Sequence, residues 1–441
     1  MTSLNLSKYF LPLFLILGVS DIDFYIGYPI FDEQWFILIL LSALGYAFKK
    51  FDIPLLIIGI LLFLYYPYLT EYANYEKLLL YFISIPLCIL VLISCYFTSG
   101  KAFGIILLGF LIYPLFLDIK YLDLISHIVI DNTAMLGMSI SIMCGIVFLF
   151  VLAGQILVRL GIIDIMIRFI LKRVKSPGRV AILSSAIFGS VSGSAVANVM
   201  STGQLTIPLM IQCGYTRVRA AAYEAVASTG GQLMPPVMGA AAFLMAEILM
   251  ISYWEVVWIA ILPAIAFYTL LLLTTPKVSL DTIPEYKNSV KTNLIKSISD
   301  AMYGLIILSA AIGLIIGVMD QTGLSFQITS ILNIVSGGNS ILLLIMVAIL
   351  CIILGMGMPT SSTYLLVAIV AAPALIEAGI TDIYAHLFVL YFGVLSMITP
   401  PVALSSFTAA KIAKTNPIIT ALTSMYIAWP LYIMPFIFVW F

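Results

Sequence analysis

Long apolar runs follow one another along this chain, many of them about 18 residues or more, and a helix of that length crosses the ~30 Å hydrocarbon core of a bilayer. Lipid offers the backbone no hydrogen-bond partners, so such runs must be helices or the strands of a closed barrel. Barrel strands alternate apolar and polar residues, and these runs do not. The expectation is an all-α polytopic membrane protein. Composition agrees: 63% of the residues are hydrophobic and 9% charged, with 20 acidic and 20 basic side chains. A balanced charge gives nucleic acid nothing to attract it. The five cysteines form no CxxC pair and read as small apolar residues.

The runs cover roughly 9–20, 34–48, 53–69, 78–97, 102–117, 134–160, 180–211, 220–250, 253–275, 300–319, 340–377, 384–410 and 417–440. The first has little basic flank beyond Lys8 and no clear small-x-small cleavage site, so it reads as a span rather than a leader. Four runs are broken by polar clusters: 180–211, 220–250, 340–377 and 384–410. If the N-terminus is cytoplasmic and 180–211 and 340–377 are re-entrant hairpins, every lysine and arginine except Lys77 and Lys120 falls on the cytoplasmic side. That bias is what membrane insertion favours. A full crossing at 180–211 would move Arg217 and Arg219 outside and weaken it.

The chain also resembles itself. A shift of 165 residues, the spacing from Pro208 to Pro373, also places Gly214 on Gly379, Thr216 on Thr381, Pro235 on Pro400, Pro236 on Pro401 and Val237 on Val402. Each copy then holds a span, a hairpin, a broken helix and a last span. Three crossings per copy invert the second copy, the design in which a site forms at the midplane between repeats. The expected divisions are an N-terminal scaffold over 1–123, repeat one over 124–275, a cytoplasmic linker over 276–299 and repeat two over 300–441. Hairpins at 180–211 and 340–377 belong to the mobile part. The amphipathic stretches 162–174 and 324–336 are expected in the two interfaces.

The breaks carry the chemistry. They are Ser190–Asn198, 228–236 (Ser-Thr-Gly-Gly-Gln-Leu-Met-Pro-Pro), 355–363 (Gly-Met-Gly-Met-Pro-Thr-Ser-Ser-Thr) and 396–401 (Ser-Met-Ile-Thr-Pro-Pro). Glycine and Pro–Pro end helices and leave main-chain groups without intrahelical partners. Free carbonyls at helix C-terminal ends suit Na⁺, and N-terminal ends suit carboxylates. Ser192, Ser194, Thr229, Thr360 and Thr399 add hydroxyl oxygens, and Asn198 an amide. Close helix packing is the competing explanation of any single break. Glu224 sits inside an apolar run and is a possible functional carboxylate; Glu247, His127 and His386 fall near expected outer edges. No metal cluster, nucleophile–base set or phosphate loop stands out, so an enzyme is not expected.

These motifs resemble the membrane component of TRAP transporters, above all the fused permease that carries small and large membrane subunits in one chain. The resemblance lies in Ser-Gly-Ser-Ala-Val-Ala-Asn at 192–198, Ser-Thr-Gly-Gly-Gln-Leu-Met-Pro-Pro-Val-Met-Gly-Ala-Ala-Ala-Phe at 228–243, Leu-Gly-Met-Gly-Met-Pro-Thr at 354–360 and Ile-Thr-Pro-Pro-Val-Ala at 398–403. It is strong over 115–441 and one of layout alone over 1–114. Fused permeases often continue beyond the point where this chain stops. The resemblance implies a Na⁺-driven importer of small organic acids in a bacterial or archaeal cytoplasmic membrane, working by an elevator movement with an extracytoplasmic solute-binding protein of the TAXI type. Na⁺ is then the coupling ion and no cofactor is needed. By motif, Ser192, Gly193, Ser194 and Asn198 belong to the first hairpin tip and Gly355, Gly357, Met358 and Thr360 to the second, with Thr229, Gly230, Gly231, Pro235, Thr399 and Pro400 in the unwound segments. Na⁺ is expected at Ser192, Ser194, Gly355 and Thr360. A stand-alone Na⁺/anion symporter remains an alternative; a channel or a membrane scaffold is a further one, though no ring of charges marks a pore.

Overall fold

The computed structural model describes residues 6–20, 30–72, 77–98, 101–117, 119–131, 134–137, 140–141, 143–159, 165, 169–170, 172–276, 278 and 294–440. Every regular element among them is helical. Most of the 162–174 stretch and of the 276–299 linker lies outside the described residues. Three described helices are long and apolar enough to cross a membrane alone: Leu79–Thr98, Tyr253–Leu273 and Ile298–Thr322. The pair Pro417–Ile427 and Trp429–Phe438, bent by 44°, makes a fourth if counted as one span. Tyr253–Leu273 shows how the protein meets lipid. Val257, Ala260, Ala264, Phe267, Tyr268 and Leu271 are buried, while Trp258 (71% exposed) and Leu262 (76%) stand out on the other face. A soluble helix would place charges there.

The contacts divide the chain into two compact units: one draws on Met1–Arg159 and Lys291–Ser325, the other on Leu160–Val290 and Phe326–Phe441. Each repeat is cut in the same way. Its leading span, Phe148–Arg159 or Leu294–Thr322, belongs to the first unit; its hairpin, broken helix and last span belong to the second.

In the first unit Asp32–Ala47 packs against Asp52–Tyr72 and Leu294–Thr322. Buried Asp52 opens its helix, where a carboxylate meets the positive helix end. It accepts from the backbone N–H of Ser7 at 3.2 and 3.3 Å and from the Ser7 hydroxyl. Gly313 and Gly317 on Leu294–Thr322 let that helix lie directly on Ala134, Met135 and Ile128; a Cβ at Gly313 would stand 2.5 Å from the Ala134 carbonyl oxygen.

The second unit holds both hairpins. The first runs out along Pro177–Ser192, turns at 193–194 and returns through Ala195–Ser201 and Gly203–Gln212. The second runs out along Ser340–Gly355, turns at 356–359 and returns through Thr360–Val370 and Ala372–Glu377. The broken helices are Arg217–Gly230, extended by a short 3₁₀ turn over Gly231–Leu233 and followed by Ala240–Ile248, and Asp382–Leu395 followed by Leu404–Ala413; their interruptions, 231–239 and 396–403, are the first and second helix breaks below. The copies interlock: the first return arm packs on Leu404–Ala413 and the second on Ala240–Ile248. Gly214 and Gly379, 165 residues apart, both close their hairpins in the left-handed region (φ 97° and 89°) that favours glycine. Pro235–Pro236 and Pro400–Pro401 are both cis. His386, read from the sequence as an edge residue, is buried and shares a 2.8 Å hydrogen bond with the Tyr364 hydroxyl.

Gly313→Val should lower the unfolding free energy of the detergent-purified protein by about 1–3 kcal/mol, the usual cost of overpacking. Gly109→Val, at a position with nothing within 4 Å of a Cβ, should leave the thermal-shift curve unmoved.

Candidate functional site

The first tip turns on Gly193, whose φ of 61° favours glycine. It also touches the first break: a Cβ at Gly193 would stand 2.4 Å from the Gly239 Cα. The Ser194 hydroxyl caps the return arm by accepting from the Ala197 N–H at 3.3 Å. Ser192 is exposed. Asn198 is buried and donates through Nδ2 to the Ser185 carbonyl at 2.7 Å, tying the two arms together. The first arm presses on the first break as well, since a Cβ at Gly189 would lie 2.6 Å from Asn198 Nδ2 and 2.7 Å from the Gly231 Cα.

The second hairpin repeats this crossing with other side chains. A Cβ at Gly355 would lie 2.6 Å from Ser396 Oγ and 2.7 Å from Thr363 Cγ2. Ser396 and Thr363 are the 165-residue counterparts of Gly231 and Asn198. The Ser396 hydroxyl lies within hydrogen-bond reach of the carbonyls of Gly355 (2.9 Å) and Gly393 (2.6 Å). Gly357 has φ 75°, and Met358 is buried beneath the turn.

One contact joins the repeats at their functional candidates. Thr360, first residue of the second return arm, donates from its hydroxyl to Gln232 Oε1 at 2.5 Å. Gln232 stands in the first break. Its Nε2 and the hydroxyl of nearby Thr229 are buried and have no hydrogen-bond partner among the described residues. Gly230 lets the Phe267 ring lie against the helix end, at 2.3 Å from where a Cβ would be. Past the half-buried Pro235, the carbonyls of Pro236 and Val237 accept from the Tyr253 hydroxyl, the latter at 3.0 Å. Thr399 lies apart from this contact: its hydroxyl bonds the Leu395 carbonyl and the Tyr432 hydroxyl, both at 2.7 Å, beside half-buried Pro400. Among the described residues no group of three His, Cys, Asp or Glu could hold a metal.

Residues 87–305 and 285–441 match the family model of the tripartite ATP-independent periplasmic (TRAP) transporter, DctM component. The chain belongs to this family. Members of the DctM family are transport permeases of the inner membrane, not enzymes. A stretch of 91 residues is 35% identical to a Haemophilus influenzae protein named as a TRAP transporter large permease. That match spans 20% of this chain and 21% of the relative.

The motifs of this DctM chain do not single out Gln232 and Ser396 as candidates, although both lie inside the breaks. Gln232 was legible there as the one amide within a run of Gly, Ser and Thr. Tyr253 and Tyr432 carry no local signal; their hydroxyls reach the breaks only after the last spans have packed. Thr360→Val and Gln232→Leu should each cost about 1–3 kcal/mol by stranding the buried partner. A double-mutant cycle on thermal unfolding should recover about 0.5–1.5 kcal/mol of coupling between them.

Proposed function

We propose that this DctM permease is a Na⁺-coupled secondary importer of a small organic acid that takes its substrate from an extracytoplasmic binding protein of the TAXI type. The N-terminus is cytoplasmic, the two repeats are inverted, and the hairpins re-enter from opposite sides. The segment before the DctM core supplies small-subunit-like helices. An elevator movement of the hairpins and broken helices carries the site across the membrane. The observation that carries this reading is a pair of buried groups, one at the repeat-to-repeat contact and one beside it, that have no hydrogen-bond partner among the described residues. Gln232 Nε2 is a donor suited to a carboxylate, and the Thr229 hydroxyl oxygen is a hard ligand suited to Na⁺. A buried donor or acceptor left alone costs about 1–3 kcal/mol, so a ligand that satisfies both recovers that cost.

Na⁺ is carried, in this reading, by oxygens at the two tips: Ser192 and Ser194 in the first, the Gly355 carbonyl and Thr360 in the second. The ends of the broken elements (Gly193, Asn198, Gly230, Gly231, Pro235, Gly357, Met358, Thr399 and Pro400) shape the cavity and keep the backbone close to its contents. Charge discrimination comes from helix N-terminal ends rather than from a buried arginine.

Proteoliposomes with the matching binding protein should show uptake of an organic acid that depends on an inward Na⁺ gradient. Ser194→Leu and Thr360→Leu should each abolish uptake while the protein stays monodisperse and helical by circular dichroism. Absence of Na⁺-dependent uptake across a panel of organic acids, or unchanged uptake in both variants, would contradict the proposal. Uptake without the binding protein would point to the stand-alone symporter.

A further inference from the structure

Glu224 is fully buried in the middle of Arg217–Gly230, and among the described residues no lysine, arginine or histidine forms an ion pair with it. Four hydroxyls close on it instead. Ser185, Thr202 and Ser228 stand 2.7, 2.5 and 3.2 Å from Oε1, and Thr206 stands 2.6 Å from Oε2. Ser185 comes from the first arm of the hairpin, Thr202 and Thr206 from the return arm, and Ser228 from the next turn of Glu224's own helix. Gly203 clears the way: a Cβ there would stand 3.2 Å from Glu224 Cγ. Thr202 is the joint between Ala195–Ser201 and Gly203–Gln212.

Holding an arm to a helix does not need a carboxylate. The second repeat makes the same junction, and the 165-residue counterparts of Ser185, Thr202, Thr206, Glu224 and Ser228 are Leu350, Val367, Ala371, Val389 and Gly393. The whole cluster is replaced by apolar or small residues there. A carboxylate without a countercharge is strongly disfavoured in such surroundings, so its presence in one repeat calls for a role beyond packing.

The hydroxyls can satisfy either charge state. With Glu224 ionised they donate to its oxygens. With Glu224 neutral, its own O–H donates and displaced hydroxyl hydrogens have other acceptors in place. Thr206 can turn to the Thr202 carbonyl at 3.0 Å, Thr202 to the Asn198 carbonyl at 2.9 Å, and Ser185 to Thr202 Oγ1 at 3.0 Å. The switch needs only O–H rotations. Of the titratable groups on the helices packed around Arg217–Gly230, Tyr268 and Tyr391 are both buried, and Tyr268 donates to the Ala227 carbonyl at 2.8 Å. His386 is engaged by Tyr364. Arg179, Arg217, Arg219 and Lys411 lie toward helix ends, and among the described residues none bonds to the cluster.

We infer that Glu224 is a proton-binding site that loads and unloads during the transport cycle, so that substrate movement carries a proton in addition to the coupling ion. A proton from water adds to a carboxylate oxygen, giving the neutral acid, and leaves to water when the hairpin arms part from the broken helix. No other bond changes. Proton binding itself is independent of the proposed substrate and of Na⁺; its link to the cycle rests on the transport reading.

Two measurements test it on the full chain. In nanodiscs, a pH titration followed by infrared difference spectroscopy should show a carboxylic-acid C=O band that disappears in Glu224→Gln. The band should shift in Thr206→Val and return to its place in Thr206→Ser. A titration with no band lost in Glu224→Gln, or a carboxylate band that responds to Na⁺ and not to pH, overturns the inference. In proteoliposomes with the binding protein and an entrapped pH dye, organic-acid uptake should acidify the lumen in the wild type. In Glu224→Gln that acidification should vanish. Uptake without acidification in the wild type overturns the coupling while leaving the transport reading intact. If no uptake occurs at all, the transport reading fails and the infrared titration alone decides proton binding.

Discussion

Everything in this fold follows from the cost of leaving a main-chain polar group unpaired in hydrocarbon, several kcal/mol for each group. An unbroken helix meets that demand by itself. At the turns and breaks of this DctM permease, side chains from elsewhere in the unit close the gaps. Ser396 reaches the Gly355 carbonyl at the end of its helix, and Tyr253 covers the carbonyls of Pro236 and Val237. A break so covered still lies beside groups, such as the Thr229 hydroxyl, that have no hydrogen-bond partner among the described residues.

The two repeats solve the same packing problem with different chemistry. Gly189 against Gly231 and Asn198 is matched by Gly355, one residue past the exact counterpart Leu354, against Ser396 and Thr363. The backbone crossing is kept while the polar load shifts. Repeat one concentrates hydroxyls around Glu224; repeat two is apolar at those positions and brings Thr360 to the first break. A repeated scaffold therefore carries an asymmetric set of polar groups.

Much of this was legible in the sequence because glycine and proline punctuate helices. The turns at Gly193 and 356–359, the breaks expected over 228–236 and 396–401 and found over 231–239 and 396–403, and the 165-residue repeat follow from residues whose backbone preferences act locally. The division into units was less legible. Contacts assign Phe148–Arg159 and Leu294–Thr322 to one unit and the last spans to the other, and no local preference records that choice. The Glu224 cage was hidden for a related reason. Ser185, Thr202 and Thr206 are single hydroxyls scattered through apolar helix, and only the register of the hairpin brings them onto one carboxylate. Likewise the burial of His386 against Tyr364 was hidden, since a lone histidine does not announce its partner.

The central claim is that two oppositely oriented copies of one helical unit meet within the membrane and share the groups their breaks leave free. Cysteine labelling tests it most directly, using two single-cysteine proteins in intact cells. One keeps native Cys213, at the end of the first hairpin; the other carries Ala378→Cys, at the 165-residue counterpart of that position. The account predicts that a membrane-impermeant thiol reagent added outside modifies the Ala378→Cys protein and spares the one with Cys213, and that inverted vesicles give the reverse. Modification of both from the same side would contradict the inverted repeat.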